Sequence, residues 1–316
     1  MEAPRRTRAV AAWSLAFVMV LGVGLGAALA LGPTTSHQAT RTHATADSAR
    51  PNLVAITHAI HSSVRGAITH TTSSNWAGFV NTVANTSYGT IQEVTAEWYT
   101  PSVNCAHAPR GGAYQVSWVG IDGWNTGTVE QDGTLSYCST TGATPAYYDW
   151  WEFYPYNGIT TVNSISGGDF VQAYVLYNSL ACVNSVCGVY TLQLSDLSAS
   201  TSFSVTGGGW ICNAASGNCE GGLDSSAECI SEAPSGFGYT GVTPVANYHN
   251  TTFYGCADTI GNSFLGIGSW SSSSGVSILQ VNQIGASSSV DQKTGAIASW
   301  SYYGNSKFLV TWQHYA

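Results

Sequence analysis

Four short segments gather the side chains that can do chemistry. In Ser117-Trp118-Val119-Gly120-Ile121-Asp122-Gly123, strand alternation puts Trp118 and Asp122 on one face. In Thr128-Val129-Glu130-Gln131-Asp132-Gly133, Gln131 faces away from its two carboxylate neighbours. Tyr148-Asp149-Trp150-Trp151-Glu152-Phe153-Tyr154-Pro155 is a dense aromatic strand carrying Glu152, and Ser226-Ala227-Glu228-Cys229-Ile230-Ser231-Glu232 sets Glu228, Ile230 and Glu232 on a shared face. The sequence has no HExxH zinc motif, no GxSxG nucleophile elbow and no P-loop. Chemistry here must therefore rest on carboxyls, amides and aromatic rings. A carboxyl can move protons to and from water, and a neutral amide can donate to a developing oxyanion at any pH. Glu228 and Glu232 cannot serve each other as acid and base. Four residues apart on a strand, their Cα atoms stand about 13 Å apart, whereas a glycosidase pair needs carboxyls roughly 5–9.5 Å apart. A partner for either must come from another strand.

Short β-prone stretches must position these groups. Trp76–Val83, Gln92–Tyr99, Gln115–Ile121, Thr128–Leu135 and Tyr147–Tyr154 alternate apolar and polar residues, and similar runs continue to Phe308–Trp312. Turn signals such as Asn157-Gly158, Gly167-Gly168 and Gly207-Gly208-Gly209 separate them. The 35 glycines and 11 tryptophans suit short strands and tight turns better than long helices. The expected fold is all-β, a two-sheet antiparallel β-sandwich of the concanavalin or jelly-roll kind, forming one domain over 71–316.

Charged residues make up only 8% of the 316, about a third of the usual share. Of nine basic residues, only Arg110, Lys293 and Lys307 follow residue 70, whereas of seventeen acidic ones only Glu2 and Asp47 precede it. Such an acidic body cannot contact phosphates in number, which excludes nucleic acid as a partner. Arg5, Arg6 and Arg8 precede an apolar run from Ala9 to Gly32, with Ala28-Leu29-Ala30 as a small-residue cleavage site. Residues 1–30 thus read as a signal peptide or an uncleaved signal anchor, and either places the body outside the cytoplasm, secreted or membrane-anchored. Residues 31–70 are polar and poor in aromatics, and read as a linker or propeptide. All eight cysteines lie in the exported body, an even number without CxxC spacing. They read as disulfides, with Cys182/Cys187 and Cys212/Cys219 close enough to staple local loops and the connectivity open. No metal or other cofactor is called for, and the chain is read as a monomer.

Together the four segments resemble the glutamic peptidase (eqolisin) family. The residues that carry the likeness are Asn75-Trp76, Trp118 to Gly123, Gln131, Trp151-Glu152-Phe153-Tyr154-Pro155 and Ala227-Glu228-Cys229-Ile230-Ser231-Glu232, in that order. The resemblance implies a catalytic Glu and Gln on neighbouring strands of a concave face, which by position are Glu232 and Gln131. It also implies that Trp118, Asp122 and Glu152 surround the site. Glu228 on the Glu232 face, with Trp76, Trp118 and Trp151, completes the expected substrate-binding set along an extended-peptide groove. Departures are Glu130 before the Gln, Cys229 and Ser231 in place of bulkier apolar residues, and Ala233-Pro234 after the Glu. The resemblance implies a secreted acid endopeptidase acting on polypeptides. Glu232 would activate water and carry protons, in an order the sequence leaves open, and Gln131 would hold the oxyanion. The alternative is a secreted carbohydrate-active or carbohydrate-binding β-sandwich, in which Glu152 and Glu232 form a glycosidase pair or no catalysis occurs.

Overall fold

In the computed structural model, the residues described are 67–315 except 84–90, 156–157, 184–185, 209, 213–218, 238–240, 271–273, 286–288 and 301–302. The expected signal segment and most of the 31–70 segment lie outside the described residues. Among those described, no helix is long and apolar enough to cross a membrane.

The chain forms two packed β-arrays. The first runs β1 (Ile68–Ser73), β16 (Val276–Ile284), β2 (Trp76–Val83), β13 (Ser226–Glu232), β4 (Ala113–Ile121), β5 (Val129–Cys138), β6 (Ala146–Tyr154) and β7 (Thr160–Ser164). The second runs β10 (Thr201–Gly207), β9 (Val186–Asp196), β8 (Phe170–Val183), β3 (Ile91–Tyr99), β14 (Asn250–Ile260) and β19 (Asn305–Trp312). Short β15 (Ser263–Gly266) and β18 (Ala298–Ser299) add to β14 and β19. β17 (Val290–Thr294) pairs with both β16 and β19, so the sandwich is joined along one margin and approaches a barrel. A separate ribbon pairs β11 (Trp210–Cys212) with β12 (Cys219–Gly221). Only β1 against β16 is parallel among these ladders.

Alternation decides what lies between the arrays. Ala77, Phe79, Val119, Ile121, Ala227 and Cys229 from the first meet Val94, Trp98, Val171, Leu192, Phe253 and Phe308 from the second. Trp98 satisfies its buried indole N–H on Thr134 Oγ1 across the gap, at 2.9 Å. The Cys229–Cys256 disulfide fastens β13 to β14 through the same core. Its 27-residue separation is worth about 3.5 kcal/mol on a loop-entropy view. Cys105–Cys138 anchors the loop before β4 to the end of β5. Cys182 lies opposite Cys187, and Cys212 opposite Cys219, in their backbone ladders.

β1 begins at Ile68, so the end of the segment expected as linker belongs to the sheet. β1 and β7 escape sequence pattern because both are polar edge strands, Ile-Thr-His-Thr-Thr-Ser and Thr-Thr-Val-Asn-Ser, without apolar alternation.

The core also holds carboxyls. Glu130, Asp132 and Glu228 are fully buried, and burial pushes all three well above the ordinary carboxyl range. The charges acting on Glu130 are the like charges of Asp122 and Asp224. Asp258, buried against Asn81 and Trp270, is pushed up to about 7. Because these folded values exceed the unfolded ones, their stability is fully present below about pH 4 and is lost as pH rises toward the folded values. Asp258 alone accounts for about 4 kcal/mol over its shift. The thermal midpoint, followed by circular dichroism, should fall by about 10 °C or more between pH 4 and pH 8. Glu130→Gln should raise the midpoint at pH 8 while leaving it near wild type at pH 4. A midpoint flat with pH would contradict this account.

Candidate active site

The outer face of the first array carries a cleft of about 500 Å³. Strand register builds it. Gln131 on β5 lies directly opposite Glu152 on β6 and Gly120 on β4, and Gly120 lies opposite Glu228 on β13. Four residues along β13, on the same face, Glu232 lies between Trp76 on β2 and Val116 on β4. Trp118 occupies the intermediate row, opposite Ile230 and Gly133. Its ring lies over β4 itself. A Cβ on Gly120 would come within 2.7 Å of that ring, and one on Gly133 within 2.7 Å of Trp118 Cβ. Glycine at both positions lets the indole lie flat and reach across to β13.

That reach holds the carboxyl of Glu232. Trp118 Nε1 donates to Glu232 Oε2 at 2.8 Å, and Asn75 Nδ2 donates to Oε1 at 2.7 Å. Trp76 packs edge-on against Trp118, with ring centroids 5.0 Å apart. Gln131 Nε2 donates to Glu152 Oε2 at 2.8 Å, which orients the amide. Val129, Trp150, Tyr154, Ile159, Pro234 and Phe237 supply apolar walls, and the 123–128 loop supplies Gly123, Thr126, Gly127 and Thr128. Phe237 stacks on Tyr114 at 4.6 Å and on that side forms the rim.

Among the described residues, no lysine, arginine or histidine lines the cleft. Burial pushes Glu232 up to about 8, opposed in part by the Asn75 and Trp118 donors and reinforced by the nearby Glu152. Burial pushes Glu152 up to about 7, opposed by the bond from Gln131. Well below pH 7 both carboxyls are therefore mainly neutral, and each can give a proton. Among the described residues no group of three or more His, Cys, Asp or Glu is placed to hold a metal ion.

Of the residues singled out from sequence, Glu232, Gln131, Glu152 and Trp76 line the cleft, and Trp118 acts on Glu232 from beneath. Asp122 does not reach it. Its carboxylate accepts from the backbone N–H groups of Leu223, Asp224 and Ser225 and from the Ser225 hydroxyl, at 2.7–3.0 Å, and so ties the 223–225 loop to the end of β4. Glu228 is fully buried and is not among the lining residues. Trp151 faces the other way, packing against Phe153 and the core; Trp150, on the Glu152 face, takes the place expected of it. Strict alternation from Glu152 indicates Trp150, because side chains two apart share a face. Asn75 had a motif but no role in the sequence reading, and Phe237 had no sequence signal at all.

The profile of the Peptidase A4 family matches residues 74–300, a stretch that includes every one of these groups. The chain belongs to that family, the eqolisins. It is accordingly a peptidase of the glutamic type. Among solved structures it is similar to scytalido-glutamic peptidase with a peptide-based transition state analog, at TM-score 0.54 and 19% identity, covering 77% of this chain and 100% of that one. The same peptidase with a transition state analog inhibitor matches at 0.54 and 20%, with the same coverage. SCP-B, an eqolisin in complex with the tripeptide Ala-Ile-His, matches at 0.54 and 19%, again covering 77% and 100%. These likenesses extend to the fold. Comparison with curated protein sequences finds no match.

The two donors to Glu232 generate a direct expectation. Asn75→Ala removes a bond that lowers the Glu232 pKa, so the value should move above about 8. Carbon-13 titration of the glutamate carboxyls, with Glu232→Gln to assign the signal, measures it. An unmoved pKa would show that Asn75 does not hold the carboxyl in solution.

Proposed function

We propose that this eqolisin is an exported endopeptidase in which Glu232 and Gln131 cleave peptide bonds in acid. The observation that carries this reading is Glu232 itself, a carboxyl gripped by two N–H donors in a cleft that it shares with Gln131 and, among the described residues, with no cation. Export is supported by the basic and apolar N-terminal segment, Arg5 to Gly32, and by the disulfides of the body.

The order of proton transfers follows from burial. With its pKa near 8, Glu232 enters an acid reaction as the neutral acid. It gives its proton to the scissile carbonyl oxygen as water adds to the carbon, and Gln131 Nε2 donates to the same oxygen. The resulting Glu232 carboxylate takes a proton from the attacking water, leaving a neutral tetrahedral diol. Glu232 then protonates the amine nitrogen and takes a diol proton as the C–N bond breaks, so the acid and amine leave and Glu232 is again neutral. Apolar walls from Trp76, Trp150, Val116 and Phe237 suit an extended peptide with bulky apolar side chains.

Cleavage of a denatured protein should persist in pepstatin and should fall as pH rises through about 7 to 8, where Glu152 and then Glu232 ionise. Glu232→Gln should abolish it, and Gln131→Ala should cost about 10²- to 10³-fold in kcat. Full activity in Glu232→Gln would end this reading; glycan cleavage lost in that variant would replace it with the carbohydrate alternative.

A further inference from the structure

Behind Glu232, buried among β2, β13, β16 and β17, lies a chain of neutral hydrogen bonds that the cleft chemistry leaves unused. Gln283 on β16 and Gln292 on β17 stand opposite each other, and both are fully buried. Gln283 Nε2 donates to the backbone carbonyl of Ser74 at 3.1 Å. Gln292 Nε2 donates to Gln283 Oε1. Gln292 Oε1 in turn accepts from Ser231 Oγ at 2.6 Å and from Tyr248 OH at 2.7 Å. Ser231 Oγ accepts from Gln115 Nε2 at 3.1 Å, which leaves the Ser231 proton for Gln292.

These bonds close a ring. Ser74 precedes Asn75, whose amide holds Glu232 Oε1; Ser231 precedes Glu232; and Ala233 N donates to the Asn75 carbonyl at 3.0 Å. The two segments that meet at the catalytic carboxyl are thus tied behind it through two glutamines. The direction of the ring is forced. The Ser74 carbonyl can only accept, so the Gln283 nitrogen faces it and the Gln283 oxygen faces Gln292. The Gln292 nitrogen must then donate to that oxygen, which leaves the Gln292 oxygen to accept from the Ser231 and Tyr248 hydroxyls. A reversed amide at either place would oppose donor to donor or oxygen to oxygen inside the core, where an unmet polar group costs about 1–3 kcal/mol. Two amides buried this fully are costly unless every bond is made.

We propose that Gln283, backed by Gln292, is a positioning residue for Glu232, setting through the Ser74 carbonyl the place from which Asn75 holds the catalytic carboxyl. The inference rests on the Glu232 reading above. Gln283 touches no substrate. Its effect should fall on kcat and on the ionisation of Glu232, while KM, set by the cleft walls, should barely move. The ring is neutral throughout, since burial holds the Tyr248 hydroxyl protonated; it keeps its grip across the acid range in which the enzyme is proposed to work.

The test compares full-length wild type, Glu232→Gln, Gln283→Met and Gln283→Glu on one peptide substrate, from acid to pH 8. Gln283→Met fills the volume without a donor and should lose about 10- to 100-fold in kcat, as small misplacements of catalytic groups do. Its KM should stay within about twofold, and the upper limit of its pH profile should move up as the Asn75 bond weakens. Gln283→Glu has nearly the same shape and, while protonated, donates through its O–H. It should keep near-normal kcat in acid and lose it reversibly as the new carboxyl ionises, with the circular dichroism spectrum unchanged. Should Gln283→Met fail to fold, Gln283→Glu alone carries the test. Gln283→Met with normal kcat and an unmoved pH limit overturns the positioning role, as does Gln283→Glu that has lost kcat already in acid, where its protonated carboxyl still donates, while an inactive Glu232→Gln leaves the reading of Glu232 standing. Activity in Glu232→Gln removes both.

Discussion

The structure depends on burying most of its carboxyl groups without giving them a cation; the buried Asp291, 3.2 Å from His314, is the exception. Only three basic residues follow residue 70, so the body has almost nothing with which to form ion pairs. A carboxyl taken out of water under those conditions keeps its proton, because a lone buried charge costs far more than protonation. Glu232 and Glu152 in the cleft obey this rule, and so do Glu130, Asp132, Glu228 and Asp258 in the core. One physical condition therefore governs the stability of the fold and the proton inventory of the site. A change that ionises the core also ionises the cleft, and the two lose their acid forms over overlapping pH ranges.

Neutral donors do the structural work that ions do elsewhere. Asp258 is held by an asparagine amide and a tryptophan indole, the same pair of donor types that holds Glu232. Asp122 is held by three backbone N–H groups and a serine hydroxyl, and Asp149 by the backbone and side-chain nitrogens of Asn163. Such donors bind the charged carboxyl more strongly but still hold the neutral one, so the contacts weaken without being lost on protonation, whereas an ion pair with Lys or Arg loses its Coulombic attraction. A fold built this way gives up little on acidification and is exposed to loss on the alkaline side.

Much of this was legible in the residues. Alternation in Trp76–Val83, Gln115–Ile121 and Ser226–Ser231 marks strands that the structure contains at those places, and the ordered segments from Asn75 to Glu232 led to the family. Polar edge strands β1 and β7 were not legible, because nothing buries one face of them strongly enough to impress a pattern. Asp122 is placed beside the site by the family resemblance, and it shares strand parity with Trp118. A positive φ of 69° at Asp122 ends the regular strand there and turns the carboxylate to the 223–225 loop. Glu228 shares parity with Glu232 and yet is buried, since parity assigns a face but not whether neighbours cover it. The glutamine ring is invisible in the sequence for a different reason: Gln283 meets Ser74, and Gln292 meets Ser231, only through contacts 209 and 61 residues apart along the chain.

The neutrality of Glu232 also explains why its proposed partner is an amide. An oxyanion can be held by Lys or Arg more strongly than by Gln, since a full charge attracts it. Either cation in this cleft would, however, favour ionised Glu232 and draw its pKa down from about 8. The acid that the proposed reaction needs at its start would then be spent before the substrate arrived. In that proposal Gln131 supplies an N–H to the developing negative charge while leaving the proton affinity of Glu232 to burial, Asn75 and Trp118. Its bond to Glu152 fixes which end of the amide faces the cleft, a choice that an isolated glutamine would leave to chance. The donor is weak so that the acid can remain one.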